Sequence, residues 1–374
     1  MPSDRPRYFK NDAQPTRRDP NKQLMASLTR LVTQYPPPSV PPGGGLYYGP
    51  LSIAFLFYRL QVLYPDMEVE GEPVTNWAGE YLKRAEAHMK DYPGPSKQKC
   101  GVADDILAML ALGAASARDE DMVKELCDYA TIAGDPEAGV EWLYGRAGYL
   151  YLLRLVRVTF ADDENITEMI DDTADIVIES LIKAPRPWKW HGKAYIGAVH
   201  GAIGIITQIV LTDPTWAPDL EVELATLLTY QYRDSGNFPS SIPPGRDRLV
   251  QFCHGAPGVV SSLLSIKQHF PKLQAKIDKA IEKGRAAILE RGLLTKEPCL
   301  CHGISGNALA LEDADFEHFL TFTTGHEIKS MDKEGVMERS DDPSSLYCGE
   351  AGRAWTWAVA DKGLPKTFLG YNDL

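Results

Sequence analysis

The sequence predicts an all-α protein folded as an α/α toroid, a barrel of about seven inner and about seven outer helices. Three observations predict it. A Gly-x-x-Gly element recurs along the chain, most copies are followed by an almost wholly apolar stretch, and amphipathic charged segments fill the intervals.

Clear copies of the element are Gly145–Gly148, Gly201–Gly204, Gly255–Gly258, Gly303–Gly306 and Gly349–Gly352. Degenerate copies start at Gly49 and Gly101, and successive first glycines lie 44 to 56 residues apart. That period accommodates one helical hairpin per repeat. The apolar stretches are Leu51–Tyr64, Ile106–Ala114, Tyr149–Val158, Ile205–Leu211, Val259–Ile266 and Ala354–Ala360. Being apolar nearly all round, they read as helices buried on both sides. Segments such as Val74–Tyr92, Ile166–Ala184, Leu220–Arg233 and Leu273–Arg291 read as outer helices with one wet face. The glycines let backbone approach closely at one end of each inner helix.

Residues 1–45 read as an N-terminal extension with a Pro-rich lead-in loop, and 46–374 as one toroid domain. Tyr35–Gly45 and Ser235–Arg246 are the Pro- and Gly-rich connections. The first holds Pro38-x-x-Pro41, which fits an SH3 domain but also a plain loop. Ala194–Leu211 is apolar enough to suggest a membrane span, yet His200, Gln208 and its glycines favour a buried helix with its preceding loop. The net charge of -12 argues against nucleic acid or an acidic membrane surface as main partner, and a peripheral membrane contact has no support in the sequence. The first residues lack the apolar core of a signal peptide, so a cytoplasmic, reducing location is expected, with the 6 cysteines as thiols or ligands.

Aligning the copies on their first glycine collects Tyr48, Cys100, Tyr144, His200, His254, His302 and Cys348 one residue earlier. The preceding column contains Cys253 and Cys301. The chain has only 8 histidines and 6 cysteines, so this grouping is hard to explain as core filling. Two stretches, Phe252–Gly258 and Leu300–Gly306, each set a Cys-His pair before the glycine turn. Cys and His are the side chains zinc prefers, and a closed ring would bring both pairs to one mouth.

At these motifs the chain resembles the lanthionine synthetase C-like family. The resemblance rests on Tyr144-Gly145-Arg146-Ala147-Gly148-Tyr149, His200-Gly201, Phe252–Gly258, Cys301-His302-Gly303 with Gly306-Asn307, and Ser345–Gly352, and runs from about Gly45 to the last repeat. It implies zinc held by Cys253, Cys301 and His302 with a fourth position open, where an entering thiol would become a thiolate. His254 and Cys348 compete as ligands, and a closed four-ligand site including one of them is the alternative. The resemblance also implies that His200 lies beside the zinc as a proton carrier, and that Glu141 orients it. His254, left off the metal, is a further catalytic candidate.

Two features depart from the bacterial cyclases of the family. Leu249 stands where they carry arginine, with Arg246 and Arg248 out of register, and His254 stands where they carry tyrosine. Cyclisation of a lantibiotic precursor is therefore not expected. Tyr-Gly-Arg-x-Gly-Tyr is similar to the eukaryotic branch, whose members bind glutathione. That similarity implies basic contacts to glutathione at Lys296, Arg339 and Arg7, Arg being suited to carboxylates through its bidentate fork.

The expected function is zinc-dependent thiol activation, adding glutathione or a peptide thiol to dehydroalanine or dehydrobutyrine in peptides or proteins to form a thioether. One rival is a non-catalytic glutathione-binding adaptor. The other is a carbohydrate-active toroid enzyme, which would need two carboxylates flanking a cleft; Glu141 and Glu350 are the acidic candidates at the glycine turns.

Overall fold

The computed structural model of the chain describes residues 6–12, 14 and 16–374. Strand is confined there to two ladders of two residues per strand, Glu68–Val69 with Glu72–Pro73 and Ala194–Tyr195 with Ser241–Ile242. Seven inner helices follow the seven glycine turns: Pro50–Leu63, Asp105–Ala117, Arg146–Thr159, Ala202–Thr212, Ala256–Ile266, Ile304–Ala308 and Glu350–Lys362. The first six pack against the outer helices that follow them, Val74–Glu86, Glu120–Asp128, Glu164–Lys183, Ala217–Leu228, Gln274–Arg291 and Asp313–Thr321. The last inner helix packs instead against Pro20–Gln34 and touches the first inner helix, which closes the ring. Residues before 45 thus supply the outer helix of the final repeat. Pro37–Ser39 winds into a 3-10 turn rather than an extended polyproline segment.

The segments just before the inner helices join neighbour to neighbour, by backbone hydrogen bonds at six junctions and, between the fourth and fifth segments, by a close approach of Gly197 to the Cys253 carbonyl. Leu46 N–H donates to Val102 (2.8 Å), Cys100 to Tyr144 (2.7 Å), Trp142 to Val199 (3.2 Å), Cys253 to Cys301 (3.2 Å), Cys301 to Tyr347 (2.8 Å), and Tyr347 to Tyr47 (3.1 Å). This circuit holds the Cys and His columns at one mouth of the toroid. It also explains the glycines. A Cβ at Gly306 would stand 1.8 Å from the Leu300 carbonyl oxygen, six residues earlier, and one at Gly258 would stand 2.0 Å from that of Phe252. Only hydrogen fits there.

Aromatic side chains fill the hole of the ring. Tyr47 stacks on Tyr347 with centroids 4.6 Å apart, Trp142 lies 5.2 Å from Tyr347, and Phe252 stacks at 4.0 Å on Phe368. Tyr371 reaches in from the C-terminal segment to bond Ser262 at 2.6 Å. The outer helix Pro20–Gln34 is pinned by a buried cluster: the Glu350 carboxylate accepts from Ser27, from Arg30 and from Arg353. Burial would raise the Glu350 carboxyl, but Arg353 and Arg30 hold it below the usual carboxylate range. Among the described residues no helix is long and apolar enough to cross a membrane, and the run from Ala194 resolves into a two-residue strand, a loop and the buried helix Ala202–Thr212.

Gly306→Ala should cost about 1–3 kcal/mol, because the new methyl displaces backbone. Gly79→Ala, in an outer helix with nothing within 4 Å, should be neutral or stabilising by up to about 1 kcal/mol. Thermal denaturation checks both, and equal midpoints for the two variants would contradict the close-approach argument.

Candidate functional site

Gly255 and Gly303 serve as the N-caps of the fifth and sixth inner helices, so the residues before them project from the same end of adjacent helices. The Cys253 N–H to Cys301 carbonyl bond sets the two segments side by side. As a result the sulfurs of Cys253 and Cys301 and a ring nitrogen of His302 all lie within 4.8 Å of one another, a group able to hold a metal ion. Both cysteines are buried and the histidine is half-buried. The Gln251 side-chain amide donates to the Cys253 sulfur at 3.1 Å.

The electrostatics of the group are those of closely spaced thiols. The Cys301 thiol donates to Cys253, which lowers Cys253 well below the ordinary thiol range and raises Cys301. The neighbouring Cys299 sulfur, ahead of Cys253, pushes the His302 imidazole up to about 10 against the effect of burial. Burial likewise pushes Cys348 up. Tyr47 too is raised, first by burial and then by the neighbouring Cys301 and Cys348.

His200 comes from the preceding repeat. Its Nδ1 lies 3.0 Å from a carboxylate oxygen of Glu141, which is fully buried and also accepts from the N–H groups of Leu143 (2.7 Å) and Tyr144 (2.6 Å). Those two amides fix the carboxylate, and the carboxylate fixes the imidazole. Trp190 stacks on the His200 ring at 3.8 Å with planes 3° apart. His254 stands outside the three-residue group, its ring 6.2 Å from His200 and 5.4 Å from Tyr195, and its Nδ1 is buried without a hydrogen-bond partner. Glu350 is taken up by Arg30 and Arg353, so it does not pair with Glu141 across a cleft.

The three basic candidates separate. Residues 6–9 run beside 293–295, with Phe9 N–H donating to Leu293 at 2.7 Å and Thr295 N–H to Arg7 at 3.0 Å. That pairing puts Arg7 and Lys296 in the wall of one cavity of about 310 Å³, together with Arg248 and Glu338. Lys296 lies 3.6 Å from Glu338, and the buried Arg7 Nε has no partner. Arg339 is not in that wall; it is exposed and grips Asp332 with two bonds of 3.0 and 2.5 Å. Two residues escape the repeat logic. Trp190 lies in a connecting loop with no motif around it. Arg248 is signalled only by its nearness to the first Cys-His pair.

An α/α toroid carrying a thiol–imidazole cluster at the mouth of its glycine turns is the class of protein this geometry defines. The sequence profile of the lanthionine synthetase C-like protein family matches residues 41–358, and the chain belongs to that family. It is 32% identical over 182 residues to the glutathione S-transferase LANCL1 of Danio rerio, an alignment spanning 45% of this chain and 44% of that protein. It is 27% identical over 276 residues to the LanC-like protein GCL1 of Arabidopsis thaliana, covering 66% of this chain and 62% of that one. The chain thus spans less than two thirds of the length of these relatives. Its fold is that of nisin cyclase, with a TM-score of 0.62 at 13% identity over 95% of this chain and 99% of the cyclase.

Glu141→Ala should destabilise the protein by about 1–3 kcal/mol for each buried donor it leaves without an acceptor. Glu141→Gln, which keeps a carbonyl acceptor, should lose less. Chemical denaturation reads the difference, and an alanine variant as stable as the parent would remove Glu141 from its organising role.

Proposed function

We propose that this protein adds glutathione, or a peptide thiol, to dehydroalanine or dehydrobutyrine residues and so forms a thioether, with zinc as its resident metal. The convergence of Cys253, Cys301 and His302 is the observation that carries the reading. Two thiolates and an imidazole are a zinc donor set, and three protein ligands are the count of catalytic rather than structural zinc. When bound, zinc would favour the thiolate form of a thiol at its open position. The glutathione S-transferase name of a relative supports the choice of thiol.

The chain's own residues would bind the thiol and move protons. Glutathione carries two carboxylates and one ammonium, which match Arg7, Arg248 and Lys296 on one side and Glu338 on the other. In the addition, the thiol loses its proton, sulfur bonds to the β-carbon of the dehydroamino acid, and the π-electron pair moves toward the α-carbon and its carbonyl. A proton then returns to the α-carbon. His200, oriented by Glu141 and held flat by Trp190, is the carrier for both transfers. His254 is the reserve candidate for the second transfer, and Arg339 would have to leave Asp332 to touch the ligand. The described cysteines are all free, which suits a reducing cytoplasm where glutathione is abundant.

Metal analysis of the purified chain should find about one zinc per molecule, lost in Cys301→Ala; full zinc in the variant would overturn the ligand assignment. Incubation with glutathione and a dehydroalanine peptide should yield a thioether by mass spectrometry. Absence of any metal-dependent product would leave a glutathione-binding adaptor as the better reading.

His200→Ala should slow product formation by about 10²-fold or more without removing the metal. Lys296→Ala should raise the KM for glutathione more than it lowers kcat.

A further inference from the structure

A second cavity, of about 860 Å³, lies on the outer wall between the start of helix Pro20–Gln34 and the start of helix Gly325–Lys333. None of its lining residues belongs to the thiol site. The lining carries the cations Arg17, Arg18, Lys22, Arg30 and Lys329 against a single lining carboxylate, Asp19, with His326, 3.3 Å from Glu327, beside them. On a chain of net charge -12 this is a local reversal of sign.

The cations are incompletely neutralised. Asp19 spends an oxygen on the Lys22 N–H as the helix cap, and Arg17 pairs with Glu317 at 2.7 Å. Among the described residues no carboxylate lies within ion-pair distance, 4.0 Å, of Arg18, Lys22 or Lys329.

Arg30 makes the cavity a built site rather than a loose surface patch. Its Nε and Nη2 are anchored on the buried Glu350 at 3.3 and 2.9 Å. Its Nη1 is left over Gly325, where an added Cβ would stand only 2.8 Å from it. One edge of the guanidinium is therefore fixed by the core and the other faces the cavity beside the amino end of a nine-residue helix. Fixed guanidinium, helix amino end and flexible ammonium groups around a common space form a receptor for tetrahedral, multiply charged oxyanions. A lone carboxylate would neutralise too little of the charge, and the volume exceeds that of a single phosphate.

We propose that this cavity binds a small molecule or lipid headgroup bearing two or more phosphate groups. The proposal is independent of the thiol-addition reading.

Titration calorimetry of the full chain with inositol hexakisphosphate, pyrophosphate and inorganic phosphate tests it, with sedimentation on phosphatidylcholine vesicles with and without phosphatidylinositol bisphosphate. The two polyphosphates should bind saturably and more tightly than inorganic phosphate. The double variant Lys22→Glu/Lys329→Glu should lose about tenfold or more in affinity, with zinc content and thermal midpoint unchanged. Lys276→Glu/Lys279→Glu, the same charge change on another outer helix, should stay within about twofold of the parent. Vesicle binding that requires the bisphosphate lipid identifies a headgroup as the ligand; binding of the free polyphosphates alone identifies a soluble one. Lack of saturable binding by every probe, or equal losses in the two double variants, would overturn the proposal.

Discussion

The circuit of backbone hydrogen bonds around the mouth of the toroid is the constraint on which the rest depends. It runs from Leu46 through Cys100 and Trp142 to Val199, and from Cys253 through Cys301 and Tyr347 back to Tyr47. Between Val199 and Cys253 the junction is a close approach, where a Cβ at Gly197 would stand 2.0 Å from the Cys253 carbonyl oxygen. Bonds of this kind contribute little net energy singly, but a buried amide left without a partner is costly. The seven segments therefore keep one mutual spacing. Side chains one and two residues before the first glycine of each turn inherit that spacing, which is how residues far apart in sequence meet as Cys253, Cys301 and His302.

Charge at the site is handled by layers. Two amides hold Glu141, Glu141 holds His200, and Trp190 limits the tilt of the ring. The thiol group is closer packed, so its sulfurs and imidazole share protons, with Cys253 the sulfur most disposed to be anionic. Below both, the aromatic layer of Trp142, Phe252 and Tyr347 closes the hole and keeps the chemistry at one face. The basic cavity by Arg7 and Lys296 exists because a short N-terminal segment lies along residues 293–295.

What the sequence discloses and what it conceals follow from the range of each cause. The second glycines are legible because the carbonyl they make room for is six residues away, so the steric demand is local and recurs in all five clear copies. The apolar inner helices and the Cys and His columns are legible for the same reason. The sixth inner helix, Ile304–Ala308, has only 5 residues, too few for a periodicity to register. Helix Pro20–Gln34 belongs to the last repeat although it comes first in the chain, and no repeat pattern marks it because its partner lies more than 300 residues on. His200 stands in the repeat register and Glu141 is named beside it only through the family resemblance, whereas Trp190 arrives from a loop outside the register. Arg7 and Lys296 line one cavity, whereas Arg339 has a nearer anion in Asp332.

The pairing of Pro20–Gln34 with Glu350–Lys362 bears on biosynthesis. Ser27 and Arg30 of this helix leave the ribosome 320 or more residues ahead of Glu350, which receives them. Until then the apolar face carrying Leu24, Leu28 and Leu31, all 0% exposed in the finished fold, has no surface to cover it. The ring thus closes only once the last repeat has been made, and the growing polypeptide must shield one sticky helix over that interval.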